Sequence, residues 1–169
     1  MSVVRAETPA DREAVRLVNE RAFGGPAEAD LVDALRESGA PRVSLVAEVE
    51  GRVVGHIFFS PVSIESEAGA WGAFALGPMG VLPEFQRRGV GSELIRRGLE
   101  ECRRAGQEVV FVLGHADYYP RFGFRPAASR GLRCEYPVPA EVFMVAELRE
   151  GALAGRTGLV KYRPEFGGV

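Results

Sequence analysis

The spacing of apolar residues in the first forty positions predicts two helices. Thr8, followed three residues later by Asp11, is typical of a helix N-terminus, and we expect the first helix to continue to about Phe23. Its predicted apolar side comprises Ala14, Leu17, Val18 and Ala22. The breaker Gly24-Gly25-Pro26 ends this helix, and the sequence AEADLVDALRES predicts a second one.

After these helices the hydrophobic period changes to two, which predicts a β-sheet. Two antiparallel strands, VSLVAEVE and VVGHIFFSPVSIE, are expected around a tight turn at Glu50-Gly51-Arg52. The third predicted strand, WGAFALGPMGVLP, contains glycines and Pro78. Because proline cannot donate a ladder hydrogen bond, this strand is expected to be either an edge strand or one that bulges.

The second half of the chain combines one long helix with further strands. The apolar side of that helix comprises Val90, Leu94, Ile95, Leu99 and Cys102. The continuous apolar run EVVFVLG is typical of a buried central strand. A short helix over DYYPRFG follows, and then strands over LRCEYPV, VFMVAELRE and Gly158 to Tyr162. This order predicts a mixed α/β sheet flanked by helices, in a single domain over residues 1–169.

Composition and charge argue against several classes of function. The formal net charge is −2 and the pI is about 5.8, so no nucleic-acid partner is expected. No apolar run approaches the roughly 20 residues that span a bilayer, and the N-terminus lacks a signal-peptide pattern, so we expect a cytoplasmic protein without a membrane partner. Cys102 and Cys134 are expected to be free thiols. No metal site is predicted, because His56 and His115 lack ligand clusters around them.

The segment PEFQRRGVGSELI points to a ligand, because it has Gly89 and Gly91 directly before a helix. Backbone N–H groups at such a helix start lack helical partners, and Arg87, Arg88 and Ser92 add charge and a hydroxyl, so the segment is suited to a phosphate. A tight turn with solvated arginines explains the same residues equally well. The lysine of a P-loop and the third glycine of a dinucleotide-binding loop are both missing here.

Two motifs occur in order along the chain: Gln86-Arg87-Arg88-Gly89-Val90-Gly91 after a strand, and Gly114-His115 followed by YYPRFGF over Tyr118 to Phe124. Together they resemble the motifs of the GNAT superfamily of acetyl-CoA-dependent N-acyltransferases. The resemblance covers almost the whole chain and is closest to small bacterial members that carry the second motif. It implies a GNAT-like fold whose sheet splays open at the acetyl-CoA cleft, between the third strand and EVVFVLG. It also implies direct acetyl transfer from acetyl-CoA to a primary amine of a small molecule or a protein, by a monomer or a homodimer.

The resemblance also implies roles for individual residues. Tyr119, four residues before Gly123, is implied as the acid that protonates the departing thiolate, and the Val81 backbone N–H as a donor to the oxyanion. Tyr118 is expected to pack or to contact the cofactor, and both tyrosines also fit a purely structural role. The implied acetyl-CoA contacts are Met79, Gly80, Val81, Gln86, Arg87, Arg88, Gly89, Val90, Gly91, Ser92, Tyr118 and Tyr119.

The general base is left open among several residues. His115 follows the buried strand and suits proton transfer near neutral pH, although a histidine there also serves to hydrogen-bond a turn. Family members often use an acid near the cofactor strand through water. The further candidates are Glu48, His56, Glu65 and Glu67.

Two other functions fit the same motifs: a domain that binds acyl-CoA without turnover, as a sensor does, and an O-acyltransferase. A covalent acyl-enzyme is not expected, because Cys102 lies on the core side of its helix and Cys134 lies within a strand.

Acceptor specificity is expected to come from the first two helices and the strands after Phe124, where no chemical signature is recognisable. Glu28, Asp30 and Asp33 are either an acidic rim or, more simply, a solvated helix face. Tyr162 and Phe166, aromatic residues in an otherwise polar tail, are expected to pack on the body of the domain, more simply in its core, or on a partner subunit.

Overall fold

A computed structural model describes residues 2–168 of the chain and contains three α-helices and nine strands within that range. The helices are α1 Arg12–Phe23, α2 Ala27–Glu37 and α3 Val90–Arg104. The strands are β1 Val3–Ala6, β2 Val43–Val49, β3 Arg52–Ser66, β4 Gly69–Val81, β5 Val109–Leu113, β6 Arg125–Pro126, β7 Leu132–Cys134, β8 Phe143–Glu147 and β9 Gly158–Lys161. Short 3₁₀ turns include Tyr119–Phe122, where a short helix was expected, and Pro164–Gly168.

Helix α1 begins as predicted but buries a different side. The Thr8 N–H donates to the Asp11 carboxylate over 2.7 Å, and a 3₁₀ turn precedes the α-helix. The buried face consists of Val15, Val18 and Asn19, while Leu17 is 50% exposed. The expectation for Leu17 was therefore wrong, because the polar side chain of Asn19 belongs to the interior and rotates the buried face toward it.

The strands form one mixed sheet with the order β1-β2-β3-β4-β5-β8-β6, and β9 pairs with both β3 and β7. Only the β4–β5 and β7–β9 pairs are parallel among the described strands. The predicted hairpin between β2 and β3 is confirmed, with Glu50 and Gly51 at φ 51° and 78° in its turn. Strand β1 was not predicted.

Strand β4 bulges and is not an edge strand, because β3 and β5 flank it. Its register with β3 passes from Ile57 opposite Met79 to Phe59 opposite Leu76, so Gly77 and Pro78 together face the single residue between them on β3. Pairing with β5 ends at Leu76, whereas β4 continues along β3 to Val81. The sheet therefore opens beside residues 77–81, which confirms the expected splay.

The helices cover both faces of the sheet. The apolar side of α3 is buried as predicted, and the helix lies so close to β3 that a Cβ added to Gly98 would stand 2.4 Å from the Phe59 ring. Helices α1 and α2 form a separate core on the other face with Val46 and Phe58. No helix of the described residues is long and apolar enough to cross a bilayer.

Candidate active site

The exposed edge of β4 offers backbone groups at the opening of the sheet. The Leu82 N–H donates to the Val54 carbonyl over 2.8 Å. Because hydrogen-bonded and non-bonded pairs alternate along an antiparallel ladder, the peptide groups of Met79 and Val81 point away from β3, toward the gap that β5 leaves. The Val81 carbonyl already accepts a hydrogen bond from Gln86 Nε2 at 3.0 Å, so its N–H is the group that remains for a ligand.

Gly80 is placed differently from the expectation that its backbone would hold the cofactor. It lies opposite His56, and the same alternation turns its peptide groups toward β3. Its lack of a side chain matters instead, because a Cβ there would come within 3.0 Å of the Ala22 Cβ on α1. Gly80 therefore lets α1 approach the opening closely.

A run of unpaired donors lies at the start of α3. Gly89 caps the helix with φ 81°, and the Glu93 N–H makes the first helical hydrogen bond, to the Gly89 carbonyl at 3.0 Å. The N–H groups of residues 87–92 have no backbone acceptor anywhere in the described range 2–168. Unpaired amides at a helix N-terminus form an anion-binding site.

A cavity of about 880 Å³ lies between these amides and the loop after β5. Of the predicted cofactor contacts, those that line it are Met79, Gly80, Val81, Gln86, Arg87, Gly89, Gly91, Ser92 and Tyr118. The Arg88 guanidinium lies over the Phe85 ring, 5.4 Å from its centroid, and the Val90 side chain is buried. Neither residue lines this cavity, and Asp117 and Arg121, which were not predicted, do.

Gly91 lies where the start of α3 faces Tyr118 in the loop after β5. A Cβ built there would lie 3.4 Å from the Tyr118 hydroxyl and 3.6 Å from the Met79 terminal methyl. The Tyr118 hydroxyl is also 3.1 Å from Ser92 Oγ, which joins the loop to α3. A side chain at position 91 would fill the space in front of the unpaired amides.

A second cavity of about 680 Å³ adjoins the first and shares Phe23, Met79, His115 and Tyr118 with it. It begins at the β4 bulge, where Leu76, Gly77 and Pro78 line it, and Tyr119 belongs to its wall. Of the three acidic residues considered as a rim, Glu28 lines this cavity, and Asp30 and Asp33 do not. Further lining residues that were not predicted for the site are Leu31, Leu113, Tyr136, Val138, Tyr162 and Phe166.

Tyr119 is held in the wall of this second cavity. Its side chain is nearly buried, and the Tyr118 and Phe124 rings pack edge-on against it at 5.3 and 5.6 Å between centroids. A Cβ at Gly114 would stand 2.2 Å from the Tyr119 ring, so only glycine fits there. Burial, with a smaller effect of Tyr118, raises the pKa of Tyr119 to about 12.

Among the five candidate bases, only His115 lines either cavity. His56 is buried between Asn19, 3.2 Å from its Nδ1, and Ser44, 2.9 Å from its Nε2. Burial, and then the Arg36 charge, lower the pKa of His56 to about 3. Glu48 accepts a hydrogen bond from Arg5 at 2.7 Å, Glu65 pairs with Lys161 at 3.3 Å, and Glu67 is exposed in the β3–β4 turn.

Neither thiol lines the two cavities. Burial, with Glu101 as a smaller contributor, raises the pKa of Cys102 to about 12, and burial also raises the pKa of Cys134. Both groups are therefore poor nucleophiles. No cluster of three metal-ligating side chains occurs within the range that the structure describes.

The family model described as acetyltransferase (GNAT) domain matches residues 3–127. The chain belongs to the GNAT acetyltransferases. YjhQ of Escherichia coli strain K12, described as an uncharacterized N-acetyltransferase, is 47% identical to this GNAT chain over 134 residues, which are 78% of the chain and 74% of YjhQ. YhbS of the same strain, described in the same words, is 38% identical over 165 residues, 97% of the chain and 98% of YhbS.

Solved structures agree with this membership. The structure of Escherichia coli YhbS in complex with CoA superposes on the GNAT chain with a TM-score of 0.91 at 35% identity. The superposition covers 98% of the GNAT chain and 92% of the YhbS chain. A GNAT family acetyltransferase from Brucella melitensis, in complex with acetyl-CoA, has a TM-score of 0.80 at 36% identity and covers 98% of both chains. The protein is thus an acyltransferase with the expected fold, while the special likeness to members with YYPRFGF stays a prediction.

Proposed function

We propose that this GNAT acetyltransferase, acting as one domain, binds acetyl-CoA along the first cavity and transfers the acetyl group directly to a primary amine in the second. The observation that carries the proposal is the run of unpaired N–H groups in residues 87–92 beside the opened sheet. A pyrophosphate matches these donors, and an extended amide-bearing arm matches the free backbone groups of Met79 and Val81. The CoA and acetyl-CoA bound by the two structural relatives support the same ligand.

The cofactor supplies a reactive acyl thioester, and the protein's residues handle charge and protons. A bond forms between the amine nitrogen and the acetyl carbon, and the carbon–sulfur bond breaks. An acceptor that arrives as ammonium gives up two protons, of which one ends on the CoA sulfur and the other in solvent. The Val81 N–H donates to the thioester oxygen as negative charge develops there.

Tyr119 is the proposed acid. With a pKa of about 12, its hydroxyl stays protonated at neutral pH, donates its proton to the departing sulfur and is reprotonated by one of the two protons that the acceptor nitrogen releases. His115 is the proposed base, acting directly or through water, because it lines both cavities. Neither of these roles needs a thiol nucleophile, in keeping with the inert environments of the two cysteines.

Two features of the second cavity favour amine transfer over the alternatives. A sensor that only binds acyl-CoA needs no space for an acceptor, yet about 680 Å³ adjoins the cofactor cavity. An alcohol acceptor carries no charge, whereas Glu28 puts a carboxylate in the wall of this cavity and so favours a cation.

Calorimetric titration of the protein with acetyl-CoA, with CoA and ATP as parallel ligands, tests the cofactor. We expect micromolar binding of acetyl-CoA and no binding of ATP. Release of free CoA with a panel of amines and matched alcohols then tests transfer. Binding without release for every acceptor supports the sensor, and release with alcohols alone supports O-acyl transfer.

A further inference from the structure

The second cavity has mainly apolar and aromatic walls with one carboxylate. Aliphatic and aromatic side chains reach it from α1, α2, the β4 bulge and the C-terminal tail. Glu28 is the only acidic residue that lines it among residues 2–168. Its volume of about 680 Å³ falls within the roughly 300–1,000 Å³ of small-molecule sites. A cavity of this kind suits an acceptor with an apolar body and a single positive charge.

Unlike Asp30 and Asp33 on the same helix, Glu28 has no ion pair within the described part of the chain. Asp30 and Asp33 pair with Arg16 at 2.8 and 2.9 Å, and Asp33 also pairs with Arg36. These two carboxylates belong to a salt-bridge network outside the cavity. Glu28, half-buried at the cavity wall, keeps its negative charge available to a ligand.

A row of aromatic rings faces the cavity as well. Tyr136 and Tyr162 are 5.5 Å apart between centroids, and Tyr162 and Phe166 are 5.1 Å apart. The Tyr162 hydroxyl is buried and has no hydrogen-bond partner in the described structure. Aromatic faces with a carboxylate bind an ammonium by charge and cation–π attraction, while the rings pack on its hydrocarbon part.

We propose that the acceptor is a small monoamine with an aromatic or aliphatic body, of the arylalkylamine kind, whose ammonium form is attracted by Glu28. The proposal rests on the proposed function and specifies its acceptor. A polyamine or an aminoglycoside carries several charges, and the apolar walls would strip water from those charges without pairing them. A peptide N-terminus would likewise bring unpaired backbone groups against the apolar walls.

The test compares 2-phenylethylamine and hexylamine with spermidine, kanamycin and an alanine-led peptide in the CoA-release assay. We expect kcat/KM for 2-phenylethylamine to exceed that for spermidine at least about 100-fold, as for a charge left unpaired in an apolar site. Glu28→Gln is expected to raise the KM for 2-phenylethylamine about 10-fold, with a smaller change in kcat. Asp30→Asn, on the same helix but outside the cavity, is the matched control and leaves this KM unchanged.

Binding to the CoA-saturated protein gives a second readout that does not need turnover. We expect 2-phenylethylamine to bind wild-type protein and to bind Glu28→Gln about 10-fold more weakly. Failure of 2-phenylethylamine to bind, better turnover of spermidine or the peptide, or an unchanged Glu28→Gln affinity overturns the monoamine proposal. A protein that does not bind acetyl-CoA overturns the proposed function itself, so the two failures are distinguishable.

Discussion

Tyr118 and Tyr119 are adjacent in the chain but occupy different environments. Tyr118 touches both cavities and bonds to Ser92, whereas Tyr119 is buried in the wall of the second. We predict that Tyr119→Phe lowers kcat about ten- to a thousandfold, the usual size for losing a general acid, with little change in the Kd of acetyl-CoA. Steady-state assays of CoA release measure kcat, and calorimetric titration measures the Kd of acetyl-CoA.

Tyr118→Phe is the matched variant, since it removes one hydroxyl from the same 3₁₀ turn region. Its hydroxyl lies near Gly91, so we expect a weaker acetyl-CoA affinity and a much smaller change in kcat. If Tyr118→Phe lost kcat and Tyr119→Phe did not, the acid would be Tyr118.

Gly91 is predicted to be essential for cofactor binding and not for folding. In Gly91→Val the new side chain would reach toward Tyr118 and fill the space before the amides of residues 87–92, so acetyl-CoA affinity should fall at least about 100-fold. The helix start tolerates valine at a cost below about 1 kcal/mol. Calorimetry and thermal unfolding measure affinity and stability.

Gly72→Val is the matched control, because Gly72 lies exposed on β4 with its nearest neighbour at 3.9 Å, and a strand accepts valine. It should bind acetyl-CoA normally. An unchanged affinity of Gly91→Val for acetyl-CoA would mean that the amides of residues 87–92 do not bind the cofactor and that the glycines serve only the turn.

Single residues were predictable from sequence where the motif itself carries the geometry. Gly91 and Ser92 lie within a few residues of the helix start they serve, and they line the cavity as expected. Glu28 was not separable from Asp30, since the difference between them depends on Arg16, which pairs only with the latter. His56 is fully buried and lies outside both cavities, so it does not fit the role of a base. The local sequence does not indicate this burial.

At the scale of elements, His56 joins β2, β3 and α1 through a buried polar network. Ser44, Asn19 and the Glu7–Arg36 pair surround it. Burial first and Arg36 second lower its pKa from 6.5 to about 3, so the native state keeps His56 neutral while the unfolded chain takes up a proton. Stability is thus full above pH 6.5 and falls as the pH drops toward 3.

We predict a loss of about 1.4 kcal/mol per pH unit below pH 6.5 from this one group. Urea unfolding at pH 7, 6, 5 and 4.5 measures it. His56→Gln removes this proton uptake, so the free energy of unfolding should depend less steeply on pH, by the amount that one proton contributes. The variant is also expected to be less stable than the wild type at pH 7. Asp11, whose pKa Arg5 holds below its usual value of 3.8, loses its contribution mainly below that pH. Hydrogen bonds also lower the pKa values of Glu84, Glu108 and Glu165 from 4.5, but these groups titrate in both proteins, so the difference between the two slopes reports His56. Equal slopes in both proteins would contradict a buried neutral histidine.

Elements with their own periodic signal were predictable, and those defined by distant partners were not. The buried side of α3 follows directly from its 3.6-residue period. Pro78 in β4 was compatible with an edge strand or a bulge, and the choice depends on β5, which lies about thirty residues further along the chain. Strand β1 has only four residues and exists because β2 offers it an edge.

On the scale of the whole molecule, the C-terminal tail returns to the N-terminal helices. The turn Pro164–Gly168 packs on α2, and Phe166 contacts the core of α1 and α2 while it lines the second cavity. The expectation that Tyr162 and Phe166 pack on the body of the protein was right. Their position in the cavity wall was not predictable, because it depends on contacts between segments that lie far apart along the chain.

Because the tail forms part of the second cavity, we predict that Phe166 affects the binding of the acceptor amine and not the binding of acetyl-CoA. Phe166→Ala should raise the KM for the best amine substrate about 10-fold, because it removes one wall of the second cavity and admits water. The Kd of acetyl-CoA should change less than about twofold, because Phe166 does not line the first cavity. Steady-state kinetics with varied amine and calorimetry with acetyl-CoA separate the two.

Leu153→Ala is the control that separates an effect on the acceptor site from a general loss of stability. Leu153 is buried in the C-terminal core and lines neither cavity, and its truncation costs about 2–5 kcal/mol. The half-buried Phe166 should cost less on truncation and yet raise the amine KM more. If instead KM follows the loss of stability in both variants, the tail supports the fold alone and forms no part of the acceptor site.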